Sequence, residues 1–387
     1  MSFEEISDKL AIVGVGTSHF GRNTGLPALS LIVHAFKDAL ADAGLSKDDV
    51  DGLIPVAGVE YDLCAELLGL DLRYAAQYWA HGRFASTVIG QGGMACLAGM
   101  ASYVACVFGI SFRDGGGWGG EGDVEGQREG GGPHGETPHY GYTHPGAGSA
   151  IAFQAYLQQY GIKDEAGLGP LAVAFRQHAA LNPNATAREP VTLAEYERSP
   201  LVIAPLRRLD FCQVNDGAVC VIVSTAERAR DGRKAPVYIS GMQGLGGGRQ
   251  RWSMGRPGLP VGQQRAYKPE SFGGQLVYRM AGVGPQDIQC LQIYDSFLPM
   301  VVFYLEEMGH CRPGEALEFV KGGRIALGGA LPINTSGGHH SEGMLAGWNH
   351  QVEAVRQLRG EGGERQIPGV RYVQYIGNAG NSIIYRR

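Results

Sequence analysis

The sequence predicts an α/β protein built as two duplicated βα halves, with parallel-rich sheets in layers with helices. Three observations predict it. Apolar strands alternate with helical patterns in both halves of the chain. Residues 43–56, AGLSKDDVDGLIPV, return at 281–294 as AGVGPQDIQCLQIY, with Ala, Gly, Asp, a β-branched residue and Leu in register. CLAGM at 96–100 is echoed by MLAGW at 344–348, each downstream of a pair of glycines and each reading as the start of a buried helix. With 387 residues, 44% hydrophobic and 18% charged, the chain is long enough to bury a large duplicated core.

In order, residues 10–15 read as a buried strand, and Leu29, Ile32, Val33, Phe36, Leu40 and Ala43 then recur at helical spacing until Gly44 caps them. Ser46 with Asp49 makes a capped turn into a strand at 52–56. The first half spans 1–228, residues 229–236 are a linker rich in Arg, Lys and Gly, and the second half spans 236–387. The 61 glycines concentrate in loops. The stretch 115–148 is too glycine-rich for a sheet interior and too aromatic for a disordered spacer, so it reads as a long functional loop. There Tyr140, Tyr142 and His144 either line a substrate tunnel or pack the loop down.

Composition removes several function classes. A formal net charge of −5 gives no electrostatic reason to expect nucleic acid or an anionic membrane as a partner. No apolar run has the length of a membrane span, and residues 1–9 are acidic and polar, so the expectation is a soluble, cytoplasmic protein. Seven cysteines, an odd number without a CxxC pair, disfavour a disulfide framework and a structural zinc site, and no Cys/His spacing suggests another metal. GLGGGRQRW at 244–252 lacks the strand–helix setting of a dinucleotide site.

The densest candidate site is GGALPINTSGGHHSEGMLAG at 328–347, where glycines let backbone approach a ligand at a helix start. It resembles the second active-site loop of the thiolase superfamily, Asn-x-Ser-Gly-Gly-x-x-x-x-Gly-His-Pro-x-Gly. Asn334, Ser336, Gly337, Gly338, Gly343 and Gly347 fall on that pattern, while Met344 and Leu345 replace its His-Pro. HAALNPNA (178–185), SPLVIAPLRRLDFCQVNDGAVCVIVS (199–224), YDSF (294–297), LEEMGHCRPGEALEFV (305–320) and GNAGNS (377–382) are similar to the branch of sterol-carrier-protein-x thiolases and bacterial lipid-transfer-type proteins. The resemblance implies a thiolase-like fold, a loop insertion at about 112–200 and a homodimer.

Claisen chemistry on a thioester needs a thiolate, a base, a second acid/base and an oxyanion hole. Cys96, in CLAG, resembles the family's nucleophile at a helix start, where a thiol pKa falls; an alternative register puts Gly93 there, and a core role for Cys96 stays open. His339 and His340 are the candidate bases, or merely loop residues. Tyr375 replaces the second cysteine and is either an acid/base or a strand-end filler, with the Gly377 N–H in the oxyanion position. Tyr294 and Asp295, in YDSF, follow the repeat's second strand, and Asp295 is either a base or a helix cap. Asn334, Ser336, His339, Met344 and Tyr140 are expected to contact substrate. Arg207, Arg208, Arg249, Arg251 and Arg256 either meet coenzyme A phosphates or are surface.

A pocket without the family's His and second Cys does not run ordinary thiolysis. Within this branch the resemblance implies the side-chain aldolases of steroid degradation, which cleave a β-hydroxyacyl-CoA by retro-aldol reaction with a zinc-ribbon/OB-fold partner protein. The expectation is a lyase using Tyr294, Tyr375 or Asp295 for proton transfer, with no cofactor beyond the coenzyme A of its substrate. The alternatives are an acyltransferase using Cys96 and a non-catalytic CoA- or lipid-binding scaffold.

Overall fold

The apolar run LAIVGVGT forms β1 (Leu10–Thr17), buried on both faces until its last residue. The computed structural model describes every residue except 1, 3, 58, 79–83, 112–144, 164–166, 245–274 and 378–379. After β1 the first half adds β2 (Gly52–Val56), β3 (Tyr74–Ala75), β4 (Val104–Ile110), the short β5 (Leu201–Ile203) and β6 (Leu206–Arg207), and β7 (Gly217–Thr225). Its helices are α1 (Ala28–Ala43), α2 (Tyr61–Leu68), α3 (Ala85–Leu97), α4 (Pro145–Tyr160), α5 (Gly169–Ala180), α6 (Leu193–Arg198) and α7 (Ala226–Arg230). The second half holds β8 (Val237–Gln243), β9 (Cys290–Ile293), β10 (Tyr372–Ile376) and β11 (Ser382–Arg386). Its helices are α8 (Gln275–Ala281), α9 (Leu298–Glu307), α10 (Ala316–Phe319), α11 (Gly338–Ser341) and α12 (Trp348–Arg359).

Nine strands make one sheet in the order β3-β2-β4-β7-β1-β8-β11-β10-β9. The duplication is visible in it. β2, β4, β7 and β1 pair in the same sequence and senses as β9, β10, β11 and β8, and the two sets meet where β1 pairs antiparallel with β8. Even the outer neighbour recurs, since a bridge between Leu291 and Ile333 takes the place that β3 takes beside β2. The expected parallel pairing holds toward the edges, where helices cross over. The centre is antiparallel, because β7 and β8 both run opposite to β1 between them, so the sheet is mixed.

The repeat lands on equivalent structure: a helix end, a 3-10 turn (Lys47–Asp49 or Pro285–Asp287) and a strand. In each turn an Asp carboxylate accepts the cap residue's N–H at 2.8 Å. The echo of CLAGM and MLAGW does not. Residues 96–100 end a helix that began at Ala85, whereas 344–348 precede one that begins at Trp348. Gly92 and Gly93 lie inside α3, where the absence of a Cβ admits Val104, Val223 and Leu10 of the sheet.

One face of the sheet is covered by α1, whose Leu31, Ile32 and Phe36 pack on Ala11 and Val13. Burying each such side chain contributes roughly 1.5–3 kcal/mol. The approach is close because Gly16 has no Cβ; one built there would lie 2.2 Å from the Ala35 carbonyl oxygen. On the other face Leu10 and Ile12 share a core with α3 and α12, and Trp348 at the start of α12 stacks on Phe108 with ring centres 6.3 Å apart. β9 and β10 are parallel, so their carboxyl ends open on one edge, where α/β proteins place their chemistry.

Candidate active site

Residues 333–347 return to the end of β9 through a run of left-handed backbone: Asn334 (φ 51°), Gly337 (102°), Gly338 (59°), Ala346 (52°) and Gly347 (92°). Asn334 clamps this run to the strand. Its Oδ1 accepts the Ile293 N–H at 2.6 Å and its Nδ2 donates to the Ile293 carbonyl at 2.9 Å. Ser336 donates to Glu342 Oε2 at 2.7 Å. Both residues, expected at the substrate, are instead buried fasteners of the loop, because a loop this strained needs every polar group paired.

The glycine pair serves Asp295. A Cβ on Gly338 would stand 2.3 Å from Asp295 Oδ2, so only glycine lets the carboxylate reach the start of α11. There Oδ1 accepts the His339 N–H at 2.8 Å and Oδ2 the His340 N–H at 3.2 Å. Oδ1 also faces His350 Nε2 at 3.1 Å. Burial pushes the Asp295 carboxyl up, but these hydrogen bonds and the neighbouring imidazoles outweigh it and hold the group below the ordinary carboxylate range. Of its two expected roles, the helix cap is the one seen, though the helix capped is α11 rather than the one that follows in sequence.

Aromatic rings continue from this carboxylate. Tyr294 meets His339 edge to face at 4.7 Å, His339 meets His350 at 4.5 Å, and His350 lies 6.0 Å from Tyr375 on β10. Asp295, His339 and His350 are fully buried. His339 Nε2 accepts the Gly347 N–H at 2.6 Å, which fixes its proton on Nδ1, 3.4 Å from Asp295 Oδ1. Burial foremost, with His350 beside it, pushes the His339 pKa down to about 3, so this imidazole is neutral. Asp295, His339 and His350 bring three ligand-type atoms within 4.8 Å. A metal-bound imidazole ordinarily donates its other N–H, whereas His339 accepts one there, so the chemistry of the trio is that of a hydrogen-bonded cluster.

Three atoms of the ring cluster, Tyr375 Oη, His350 Nδ1 and His339 Nδ1, are buried with no hydrogen-bond partner among the described residues. Burial, with Tyr294 and other nearby acids adding to it, pushes the Tyr375 phenol well above its ordinary value, so it stays protonated. Its hydroxyl lies against Gly347, where a Cβ would come within 2.1 Å.

Other expectations are corrected. Cys96 sits in the last turn of α3, its sulfur donating to the Val223 carbonyl at 3.5 Å, and burial pushes its thiol up to about 12. It opens no helix, and Gly93 is in mid-helix against Leu10, so neither register places a nucleophile at a helix start. The Gly377 N–H donates to the Asn381 carbonyl at 2.7 Å and is not available to an oxyanion. His340 has both nitrogens engaged, Nδ1 with the Ser341 hydroxyl and Nε2 with the Leu209 carbonyl, each at 2.7 Å. Met344 is buried, its N–H bonded to Asn215 Oδ1 at 2.6 Å and its sulfur accepting the Ala346 N–H, so it braces the loop. Tyr140, Tyr142, His144, Arg249, Arg251 and Arg256 lie outside the described residues.

Sequence reasoning missed His350, in a helix whose polar residues look solvent-facing, and Asn215, which shapes the loop from NDGA. Behind His340 a cavity of about 680 Å³ is lined by Arg22, Arg176 and Arg208 with Val202, Phe211 and Val214. No carboxylate among the described residues lines it. No helix among the described residues is long and apolar enough to cross a membrane.

The profile of the thiolase C-terminal domain-like family matches residues 266–383. The chain is 34% identical to a 17-hydroxy-3-oxo-4-pregnene-20-carboxyl-CoA lyase of Mycobacterium tuberculosis over 97% of both chains. It is likewise 34% identical to a steroid side-chain-cleaving aldolase of Thermomonospora curvata over 90% of both. A solved Ltp2–ChsH2(DUF35) aldolase superposes with a TM-score of 0.84 at 30% identity, covering 98% of each chain.

Proposed function

We infer the activity from a premise the relatives establish: this chain belongs to the thiolase superfamily, in the branch of the steroid side-chain aldolases. It is a carbon–carbon lyase that cleaves a β-hydroxyacyl-CoA by retro-aldol reaction. The reaction needs a base for the β-hydroxyl and donors for the enolate oxygen, and it needs no acyl-enzyme cysteine.

The observation that carries this reading is the pairing of an inert Cys96 with a buried, incompletely bonded tyrosine–histidine cluster. A phenol kept protonated by burial is a hydrogen-bond donor, so Tyr375 serves the thioester oxygen as it gains charge. Tyr294, against His339, supplies a second phenol at the same edge. Acyl transfer through Cys96 would need a thiolate, and a thiol at about 12 holds almost none at neutral pH. The scaffold alternative leaves the buried unpaired groups without a purpose.

The substrate class is a steroid or similar side-chain acyl-CoA. Its phosphates are assigned to the cavity of Arg22, Arg176 and Arg208, which no carboxylate among the described residues lines, as the Arg208 expectation suggested. A DUF35 protein is the proposed partner, with the zinc-ribbon/OB-fold form that the family resemblance implies. The proposal extends to a homodimer and to a cytoplasmic location, supported by the resemblance and by the lack of a spanning helix among the described residues. The test is incubation with 17-hydroxy-3-oxo-4-pregnene-20-carboxyl-CoA and a DUF35 partner. Appearance of the 17-ketone and the shortened acyl-CoA supports the reading; no cleavage, or an acyl adduct on Cys96, overturns it.

A further inference from the structure

We infer that Nδ1 of His350 is the base that takes the β-hydroxyl proton and that Asp295 is the residue that positions it, a step that rests on the retro-aldol reading. Elimination carries it. In the ring cluster at the ends of β9 and β10, the carboxylate and the other two imidazoles each already accept a hydrogen bond. Asp295 Oδ1 accepts the His339 backbone N–H and faces His350 Nε2, and Oδ2 accepts the His340 N–H. His339 Nε2 accepts the Gly347 N–H. His340 Nε2 faces a carbonyl and so carries its proton, which leaves Nδ1 to accept from the Ser341 hydroxyl. Tyr375 is a protonated phenol, and phenols ordinarily titrate near 10, so neither it nor Tyr294 is a ready base at neutral pH.

His350 is different. A carboxylate only accepts, so the contact with Asp295 Oδ1 puts a proton on His350 Nε2 and makes Nδ1 the nitrogen that can offer a lone pair. That nitrogen is buried and has no partner. A buried acceptor left unmet is unfavourable unless a ligand hydroxyl meets it, which is what a β-hydroxyacyl substrate brings. The carboxylate behind the ring also stabilises the imidazolium that forms, the arrangement general-base histidines use elsewhere. The surroundings add little charge of their own. Tyr385 of β11 donates to Gln351 at 2.6 Å, and Glu353, further along α12, is paired with Arg365 at 3.1 Å.

The step balances without a co-reactant. The hydroxyl proton passes to His350 Nδ1 as the hydroxyl carbon becomes a carbonyl. The Cα–Cβ bond breaks, its electron pair enters the thioester enolate, and the imidazolium returns the proton to Cα.

The test compares wild type, His350→Gln and His350→Ala on 17-hydroxy-3-oxo-4-pregnene-20-carboxyl-CoA with the DUF35 partner present. Glutamine keeps a donor toward Asp295 but offers no base, so kcat should fall by about 100-fold or more with the acid limb of the kcat/KM profile flattened. KM should move by less than about threefold, since the loss is in the transition state. Free imidazole should raise the rate of His350→Ala about tenfold or more, following its unprotonated fraction. A His350→Gln enzyme that keeps more than about a tenth of kcat, or the wild-type acid limb, overturns the assignment. Should that variant fail to fold, lack of imidazole rescue in His350→Ala overturns it instead. A wild type that cleaves nothing brings down the retro-aldol reading itself, a result distinct from an active wild type with an equally active variant.

Discussion

The helices α3 and α12 occupy equivalent places in the two halves, each leading back into the strand beside β2 or β9, and they are filled in opposite ways. α3 is glycine and apolar residues, Gly90, Gly92 and Gly93 letting the sheet approach while Val88 and Ile89 pack. α12 is as deeply buried but carries Asn349, His350, Gln351, Glu353 and Gln357. Each of these costs free energy unless it is paired. Most are: Glu353 with Arg365 and with Thr335 at 2.8 Å, Gln351 with the Tyr385 hydroxyl, and Asn349 with Glu342 at 2.7 Å. On the proposed assignment, duplication has kept the scaffold and placed the chemistry in one copy. Within that copy His350 Nδ1 and Tyr375 Oη are among the buried atoms left without a hydrogen-bond partner among the described residues, and they are the two we assign to the substrate.

The sharpest way to break this contrast is Asp295→Asn. The amide cannot accept from two backbone N–H groups and an imidazole at once, so His350 loses its orientation and α11 its cap. A loss of about 10³-fold in kcat is expected, comparable to mis-set histidine tautomers elsewhere, together with a destabilisation of about 2–4 kcal/mol from unpaired buried groups. Turnover and thermal unfolding measured on the same sample check it. A variant within tenfold of wild type would mean that the buried carboxylate is structural only.

Next comes Tyr375. Tyr375→Phe removes a hydroxyl that has no hydrogen-bond partner among the described residues, so stability should stay within about 1 kcal/mol while kcat falls roughly 10²–10³-fold, as for the loss of an oxyanion donor. Gly347→Ala attacks the same hydroxyl from the other side, where the new Cβ would overlap it at 2.1 Å on backbone with φ 92°. That variant should lose both activity and about 1–3 kcal/mol of stability. If the phenylalanine variant is as unstable as the alanine one, Tyr375 is holding the core rather than awaiting substrate.

The polar half, with His178 of α5 bonded to its Asn334 carbonyl, should also respond to acid first. Burial pushes His339 down to about 3, and His178, His310 and His340 to about 4. A histidine whose folded pKa is depressed binds a proton in the unfolded state first. Stability is therefore full above the unfolded value near 6.5 and declines as pH falls from there toward 4, by up to about 1.4 kcal/mol per pH unit for each such group. Denaturant midpoints at pH 7.5, 6 and 5 check this. A flat profile would mean that these rings are not held neutral.

How far this was readable depends on which contacts are local. The repeat at 43–56 and 281–294 was legible because its determinants, a helix end, an Asp-capped turn and an apolar strand, lie within fourteen letters. Tyr294, Asp295, Tyr375 and His339 were legible as positions, and the structure brings them together. Their hydrogen bonds were not, since Asp295 meets His339 and His350 across 44 and 55 residues. The end of α3 was misread because a glycine pair that looks like a loop is there to admit Val104 and Leu10. His350 was invisible for a related reason. The polar face of an amphipathic helix reads as solvated until Thr335, Glu342 and Arg365 arrive from elsewhere to pair with it.

The smallest effect belongs to the quiet copy. Cys96→Ser keeps a donor for the Val223 carbonyl and changes no volume of consequence, so the cost should be about 1 kcal/mol, for placing a hydroxyl among Leu10, Val104 and Val223. Activity should stay within about twofold of wild type, because the retro-aldol step forms no acyl-enzyme and a thiol pushed up to about 12 holds almost no thiolate at neutral pH. Rate with the DUF35 partner, alongside intact mass after exposure to an acyl-CoA, reads both points. A large loss of rate with the fold intact, or an acyl adduct that disappears in the serine variant, would move the chemistry from α12 back to α3 and make the two copies functional partners rather than a contrast.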